Sequence, residues 1–195
     1  MKVFGDSQSG NCQKVGLLLD HLGLAYDWHE VGVTGGATRQ PDFLALNPAG
    51  QVPVLVLDDG RTLAQSNAIL AYLADGTPLL PAEPFRRAKV FEQLFWEQYS
   101  HEPYIAVCRF QMVYQGKPAS AREPWRVARG EAALDLMEQR LAERAWLADE
   151  TMTIADIALM AYTRLAHEGG FDLASRPAVR AWIARAEARL QRRPA

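Results

Sequence analysis

At 195 residues the chain is long enough for one large or two small domains with filled cores, and 49% hydrophobic with 23% charged residues is the balance of a globular protein in water. A formal net charge of -2 gives no electrostatic footprint for nucleic acid or an anionic membrane, and no apolar run is long enough to span a bilayer, which leaves a small molecule or a second copy of the chain as expected partners. The two cysteines, Cys12 and Cys108, fit neither a disulfide framework nor a zinc spacing, so no metal is expected, and the first 25 residues lack a secretory pattern, so a cytoplasmic protein is expected.

Lys2 to Phe4 reads as a first strand entering a Ser- and Gly-rich loop, Gly5 to Gly10. From Asn11 onward, Val15, Leu18, Leu19 and Leu22 share one helical face, and Gly23 supplies the left-handed residue that ends such a helix. Tyr26 to Val33 alternates as a second strand, Gly35 and Gly36 open a loop, and Pro41 to Leu46 forms a short helical turn.

The stretch from Asn47 to Leu70 organises the rest. Turn residues Asn47 to Gly50 precede Gln51 and the apolar run Val52 to Leu57, and Asp59-Gly60 closes a tight hairpin onto a short return strand, Arg61 to Leu63. Pro53 cannot donate to a sheet ladder, so it must sit at an edge, bulge or bend. A cis bond there would turn Gln51 and Val52 back and present the Val52 amide and carbonyl to a ligand. Gln65, Ser66 and Asn67 stand before the apolar run from Ala68, where one of these side chains should cap a helix whose first amides suit an anion. The order β-α-β, crossover, β-β-α is a thioredoxin-like arrangement.

Gly76, Pro78, Pro81 and Pro84 stop the helix and mark residues 76–84 as a stiff linker between residues 1–75 and an all-helical segment, 85–195. Phe85 to about Tyr114 reads as one long helix or two in line, interrupted by Pro103, which should kink it. After Gly116 to Pro124, Val127, Leu134, Met137 and Leu141 form an inward stripe, and Glu131, Asp135 and Glu138 are expected on a solvated face. Thr153-Ile154-Ala155-Asp156 resembles a capping box, with Asp156 read as a folding signal rather than a catalytic group. Pro177 to Leu190 is the last helix, and His21, His29, His101 and His167 have no triad or metal spacing.

The run Asn47-Pro48-Ala49-Gly50-Gln51-Val52-Pro53-Val54-Leu55, followed by Gln65-Ser66-Asn67-Ala68-Ile69, resembles the glutathione-binding half of the soluble glutathione transferases. The resemblance covers essentially the whole chain, specific in its N-terminal part and generic in its C-terminal part. It implies an α/β thioredoxin-like domain followed by an all-α domain, a cis Pro53, Val52 pairing with the cysteinyl backbone of glutathione, and Gln51 helping to fix the tripeptide. It further implies that Gln65 and Ser66 hold the γ-glutamyl carboxylate, that Arg39 lies near the glycyl end, and that the protein is a homodimer.

Where thioredoxin-like proteins carry Cys-x-x-Cys, this chain has Ser9-Gly10-Asn11-Cys12. Ser9 matches the catalytic serine of the serine-type classes, whose motif is Ser-x-Pro-Cys, and Asn11 replaces the proline, as in bacterial-like classes with asparagine here. A hydroxyl or amide donor at a helix N-terminus favours an ionised sulfur, so the thiolate-stabilising role falls to Ser9, to Asn11, or to both. Taken alone, either residue is an ordinary N-cap, and Cys12 is either an activated thiol near the helix start or, as is commoner for a single cysteine there, a small buried apolar residue.

The expected function is therefore attack of a bound glutathione thiolate on an apolar electrophile, a detoxification chemistry. Tyr99, Tyr104, Arg109, Phe110 and Tyr114 mark a region that either walls the second-substrate pocket or, as is commoner for aromatic residues at such spacing, makes core or dimer contacts. Glutathione-dependent peroxide or disulfide reduction would use the same thiolate, and is weakened by the lack of cysteine at position 9. A non-enzymatic ligand-binding or docking protein is the third reading, against which an intact Pro53, Gln65 and Ser66 argue.

Overall fold

The computed structural model describes residues 1–191 and divides the chain into two compact units, Met1–Asp75 with the chain end from Leu190, and Gly76–Arg189. The first unit contains β1 (Lys2–Gly5), α1 (Gly10–Leu22), β2 (Asp27–Glu30), α2 (Pro41–Leu46), β3 (Val54–Val56), β4 (Thr62–Ala64) and α3 (Ser66–Ala74). Its four-stranded sheet has the order β2-β1-β3-β4. β1 runs parallel to β2, as a helical crossover requires, while β1–β3 and β3–β4 are antiparallel. This is the thioredoxin-like arrangement anticipated from the element order. Val3, Val15, Leu18, Leu19, Leu55, Ile69 and Leu70 form its core, each with no exposed surface.

Local signals were followed closely. Gly23 ends α1 at φ 66°, and its amide bonds back to Asp20 and Leu19. Gly60 turns the hairpin at φ 85°, with Gly60 N–H donating to Leu57 O at 3.0 Å and Leu57 N–H to Arg61 O at 2.9 Å. β2 is shorter than the alternation from Tyr26 to Val33 implied. Beyond Val31, whose amide still reaches Gly5 O at 2.8 Å, the amide of Val33 bonds to the Asp6 carboxylate at 3.0 Å rather than to a strand. A buried side chain has taken over from the ladder.

In the second unit the stretch before the helices is packed: Leu79 and Leu80 are buried, and Leu79 O accepts from Ile154 N at 3.0 Å. The helices are α4 (Pro84–Trp96), α5 (Glu102–Arg109), α6 (Pro124–Glu143), α7 (Ile154–Thr163) and α8 (Pro177–Leu190). The expected long helix from Phe85 to Tyr114 is segmented by two π-helical turns, Glu97–His101 and Phe110–Tyr114. Pro103 lies in the first turn of α5, where its missing N–H matters least, because the wide turn before it absorbs the break. His101 packs inside, its Nε2 2.9 Å from Thr163 Oγ1. No described helix is long and apolar enough to cross a membrane, and no group of His, Cys, Asp or Glu among the described residues could hold a metal ion.

Two polar posts hold this unit together. The capping box forms as the sequence proposed, with Thr153 accepting from Ala155 N and Asp156 accepting from Thr153 N at 2.9 Å. The Asp156 carboxylate also accepts from Leu147 N and from Trp182 Nε1, both at 3.0 Å, so one buried side chain ties the preceding loop and α8 to the start of α7. Burial pushes its carboxyl above the ordinary range while these donors pull it down.

The second post adds partners to the solvated face expected at Glu131, Asp135 and Glu138. Asp135 stays exposed and Glu131 and Glu138 half-buried, but Arg176 and the first amides of α8 bond to them. The Arg176 guanidinium reaches Glu131 Oε2 and Asp135 Oδ1, each at 2.6 Å, and Glu138 accepts from Ala178 N at 3.0 Å and Val179 N at 2.9 Å. A carboxylate on one helix thereby satisfies the orphan amides opening another. Periodicity identified the polar stripe but carried no information about its partner, some 40 residues onward.

Each post gives a prediction. Asp156→Ala strands several buried donors at about 1–3 kcal/mol apiece, so it should lower the unfolding free energy by at least about 3 kcal/mol, measured by urea denaturation. Glu138→Ala should cost about 1 kcal/mol, the usual worth of a cap, and the same assay should register almost nothing for the exposed Glu143→Ala.

Candidate active site

β1 ends at Gly5, and the chain turns through Asp6 to Ser9 before α1 begins. Ser9 N–H donates to Asp6 O at 3.0 Å, and Ser9 O accepts the first bond of the helix from Gln13 N at 2.9 Å. Ser9 is the N-cap by backbone position, yet its side chain caps nothing. The Ser9 hydroxyl is therefore not spent on capping α1.

Carboxylates brace this loop from beneath. Asp6 is buried and accepts from Gln8 N at 2.9 Å as well as from Val33 N. Glu30, on β2, accepts from Ser7 N at 2.9 Å and from Trp28 Nε1 at 2.7 Å. Cys12 is fully buried, and burial pushes its thiol up to about 11. The Ser9 hydroxyl and Asp6 amide pull it down and the Asp6 and Glu30 charges push it further up, so it remains a thiol at neutral pH. Cys12 is buried, as the packing reading expected.

α3 begins beside α1. Ser66, buried in the first turn of α3, donates its hydroxyl to Asn11 Oδ1 at 3.2 Å, joining the two helix starts. With Oδ1 engaged as acceptor, the Asn11 amide is oriented with Nδ2 as its donor end. Gln65 precedes α3 at φ 70° and ψ 111°, a backbone conformation that side chains other than glycine rarely adopt, and no side chain caps this helix. The expectation that Gln65, Ser66 or Asn67 would cap it is therefore not met, because Ser66 turns to Asn11 and Gln65 remains exposed. The first amides of α3 have no partner within the helix by construction, which makes its start suited to a carboxylate.

The third component is the loop before β3. The Val52–Pro53 bond is cis. The ladder of β3 begins at Val54, paired with Phe4 and Ala64, so Val52 lies outside the strand register. Asn47 is buried and clamps the loop, donating Nδ2 to Gln51 O at 2.8 Å and accepting from Ala49 N at 3.1 Å. Arg39 donates to Ala49 O at 3.2 Å and lies close over Gly50, where an added Cβ would meet its guanidinium. Arg39 therefore braces the loop carrying Gln51 and Val52.

Asn11 and Ser66 are brought together directly, Ser9 stands at the start of the same helix as Asn11, Gln51, Val52, Pro53 and Gln65 lie in the loops before β3 and α3, and Arg39 lies before α2. The aromatic region proposed in the second unit is less uniform. Tyr104 is buried and accepts from Arg129 at 3.0 Å, Arg109 is buried and paired with Glu168 at 2.6 Å, Phe110 stacks on Tyr114, and Tyr99 alone is largely exposed. Tyr104 and Arg109 are thus structural members of the bundle.

Sequence reasoning missed Asp6, Glu30 and Asn47. Asn47 stood in a recognised turn, and an asparagine two residues before a backbone amide is a known turn mimic that could have identified it. Asp6 makes the same local turn bond, to Gln8 N, but its bond to Val33 N and that of Glu30 to Ser7 N span 27 and 23 residues, for which no local signal exists.

The comparisons agree with this geometry. The family model for the glutathione S-transferase N-terminal domain matches residues 8–75, and that for the C-terminal domain matches residues 127–189. The chain is similar to glutathione S-transferase 3 of Zea mays, 35% identical over 194 residues that cover 93% of this chain and 86% of the relative. Among solved structures, a glutathione S-transferase from Pseudomonas fluorescens Pf-5 superposes with a TM-score of 0.92 at 51% identity, covering 96% of this chain and 94% of that one. Another, from Xanthobacter autotrophicus Py2, gives 0.91 at 50% identity, covering 96% and 92%. Two joined helix starts beside a cis-proline loop, both domain models and this degree of identity along nearly the full chain place the protein in the glutathione S-transferase family.

Proposed function

We propose that the chain is a glutathione transferase in which Ser9 and Asn11 stabilise the thiolate of bound glutathione for attack on an apolar electrophile. The observation that carries this reading is the pairing of the two helix starts through Ser66 and Asn11, with a Ser9 hydroxyl that the helix does not consume as a cap. An anion at each start is stabilised by amides and side-chain donors acting together.

In this reading the start of α3, with Gln65 and Ser66, receives the γ-glutamyl carboxylate. Val52 pairs with the cysteinyl backbone from a loop held by Asn47, Gln51 and the cis Pro53, and Arg39 steadies that loop toward the glycyl end. The sulfur then lies by α1, near Ser9 and Asn11 of the bacterial-like Ser-x-Asn-Cys motif. Ionising it at neutral pH supplies the nucleophile, and its lone pair forms the new carbon–sulfur bond while the leaving group departs or the acceptor takes the electron pair. Residues 1–75 are the glutathione domain, 76–84 the linker and 85–195 the helical domain of a cytoplasmic homodimer acting in detoxification.

The test is titration calorimetry with reduced glutathione, paired with thiolate difference absorbance across pH. Binding with a thiolate signal at neutral pH is expected. Ser9→Ala together with Asn11→Ala should abolish that signal and lower kcat/KM by about 100-fold, the worth of one lost oxyanion-type donor, while binding persists. Retained turnover in that double variant would overturn the assignment. On binding, Ser66 exchanges its bond to Asn11 Oδ1 for a charge-assisted one to the carboxylate, so Ser66→Ala loses only the difference and should weaken glutathione binding roughly 10-fold.

A further inference from the structure

In the loop between α2 and β3, one backbone donor has no acceptor among the described residues, and a buried side chain decides where it points. Asn47 ends α2, its N–H donating to Phe43 O at 3.0 Å and its O accepting from Gly50 N at 2.9 Å. The side chain spans the same turn, with Oδ1 accepting from Ala49 N at 3.1 Å and Nδ2 donating to Gln51 O at 2.8 Å. A backbone N–H can only donate and a carbonyl can only accept, so these two partners fix which end of the Asn47 side chain is oxygen and which is nitrogen.

The bond to Gln51 O reaches further than the turn. Gln51 O belongs to the same planar trans peptide unit as Val52 N–H, and in such a unit the carbonyl and the N–H point in opposite directions. Holding Gln51 O against the buried Asn47 therefore turns Val52 N–H away from it. No group among the described residues accepts from Val52 N–H, and the β3 ladder starts only at Val54. Gln51 is exposed and lies outside any helix or strand, so without Asn47 this peptide plane is free to turn about the bonds on either side.

We propose that Asn47 is a positioning residue: by holding Gln51 O it presents Val52 N–H to the cysteinyl carbonyl of glutathione. This rests on the pairing of Val52 with the cysteinyl backbone given above. Asn47 itself touches neither the tripeptide nor the reacting sulfur. Its contribution is a donor already oriented before the ligand arrives, which lowers the entropic cost of binding.

The experiment uses calorimetry on the parent and Asn47→Asp with two ligands. The first is S-methylglutathione, whose thioether cannot ionise, so that its affinity reports recognition independently of a thiolate. The second is the same molecule with the cysteinyl carbonyl reduced to CH2, which removes the acceptor for Val52 N–H. At neutral pH Asn47→Asp keeps the size of the side chain and the acceptor for Ala49 N, but sets a carboxylate oxygen against Gln51 O in place of the donor. It should weaken S-methylglutathione binding roughly 5- to 10-fold, the worth of about one hydrogen bond. The reduced analogue should bind the parent and Asn47→Asp within about twofold of each other, because the coupling vanishes when either partner is missing.

Unchanged S-methylglutathione affinity in Asn47→Asp would overturn the proposal. So would equal weakening of both ligands, the mark of a merely structural role. Should Asn47→Asp not fold, the amide NMR signal of Val52 in the parent supplies the decision. This amide should exchange quickly with water in the free protein, and saturating S-methylglutathione should protect it and move its proton downfield, as the reduced analogue should not. An amide protected in the free protein, or unmoved by S-methylglutathione, would overturn the proposal. A parent that binds neither S-methylglutathione nor glutathione overturns the underlying functional reading instead, which keeps the two failures distinct.

Discussion

A hydrogen bond between the first turns of two helices, Ser66 Oγ to Asn11 Oδ1, governs the working end of the N-terminal unit. Helix starts repel one another electrostatically, because each carries unsatisfied amides and partial positive charge. Holding two together requires a polar link, and here the link uses a hydroxyl and an amide that would otherwise serve as ordinary caps. Each helix is thereby left with uncapped amides on the same face of the fold. The sheet makes this possible: β1, central between β2 and β3, delivers α1, and the hairpin of β3 and β4 delivers α3.

What could be read from the sequence is what is decided within a few residues. Gly23, the Asp59-Gly60 turn and the Thr153–Asp156 capping box each depend on neighbours, and each formed as expected. The order of strands and helices followed, because short connections leave few topologies open. Residues whose partners lie far away were legible only as residue types. Glu131, Asp135 and Glu138 were visibly polar, but nothing in their spacing named Arg176 or the first amides of α8. Arg39 drew notice through family resemblance, whereas its contact with Ala49 O depends on how two loops fold against each other.

The same distinction explains the helical segmentation. Proline signals a break with certainty about the missing donor, but the site of relief depends on packing on both sides. Here the chain widens into a π turn over Glu97–His101, placing Pro103 at a helix start. The two units also differ in how they use buried polar groups. Asp156 in the helical unit is fully surrounded by donors and fixes packing. Asp6 in the first unit fixes a loop whose working groups stay near the surface.

The backbone at Gln65 carries a consequence of its own. At φ 70° a side chain with a Cβ is held in a conformation that costs on the order of 1–3 kcal/mol, which glycine would largely avoid. Selection for thermal robustness alone would drive this position to glycine, and a library screened only for folding should enrich it there.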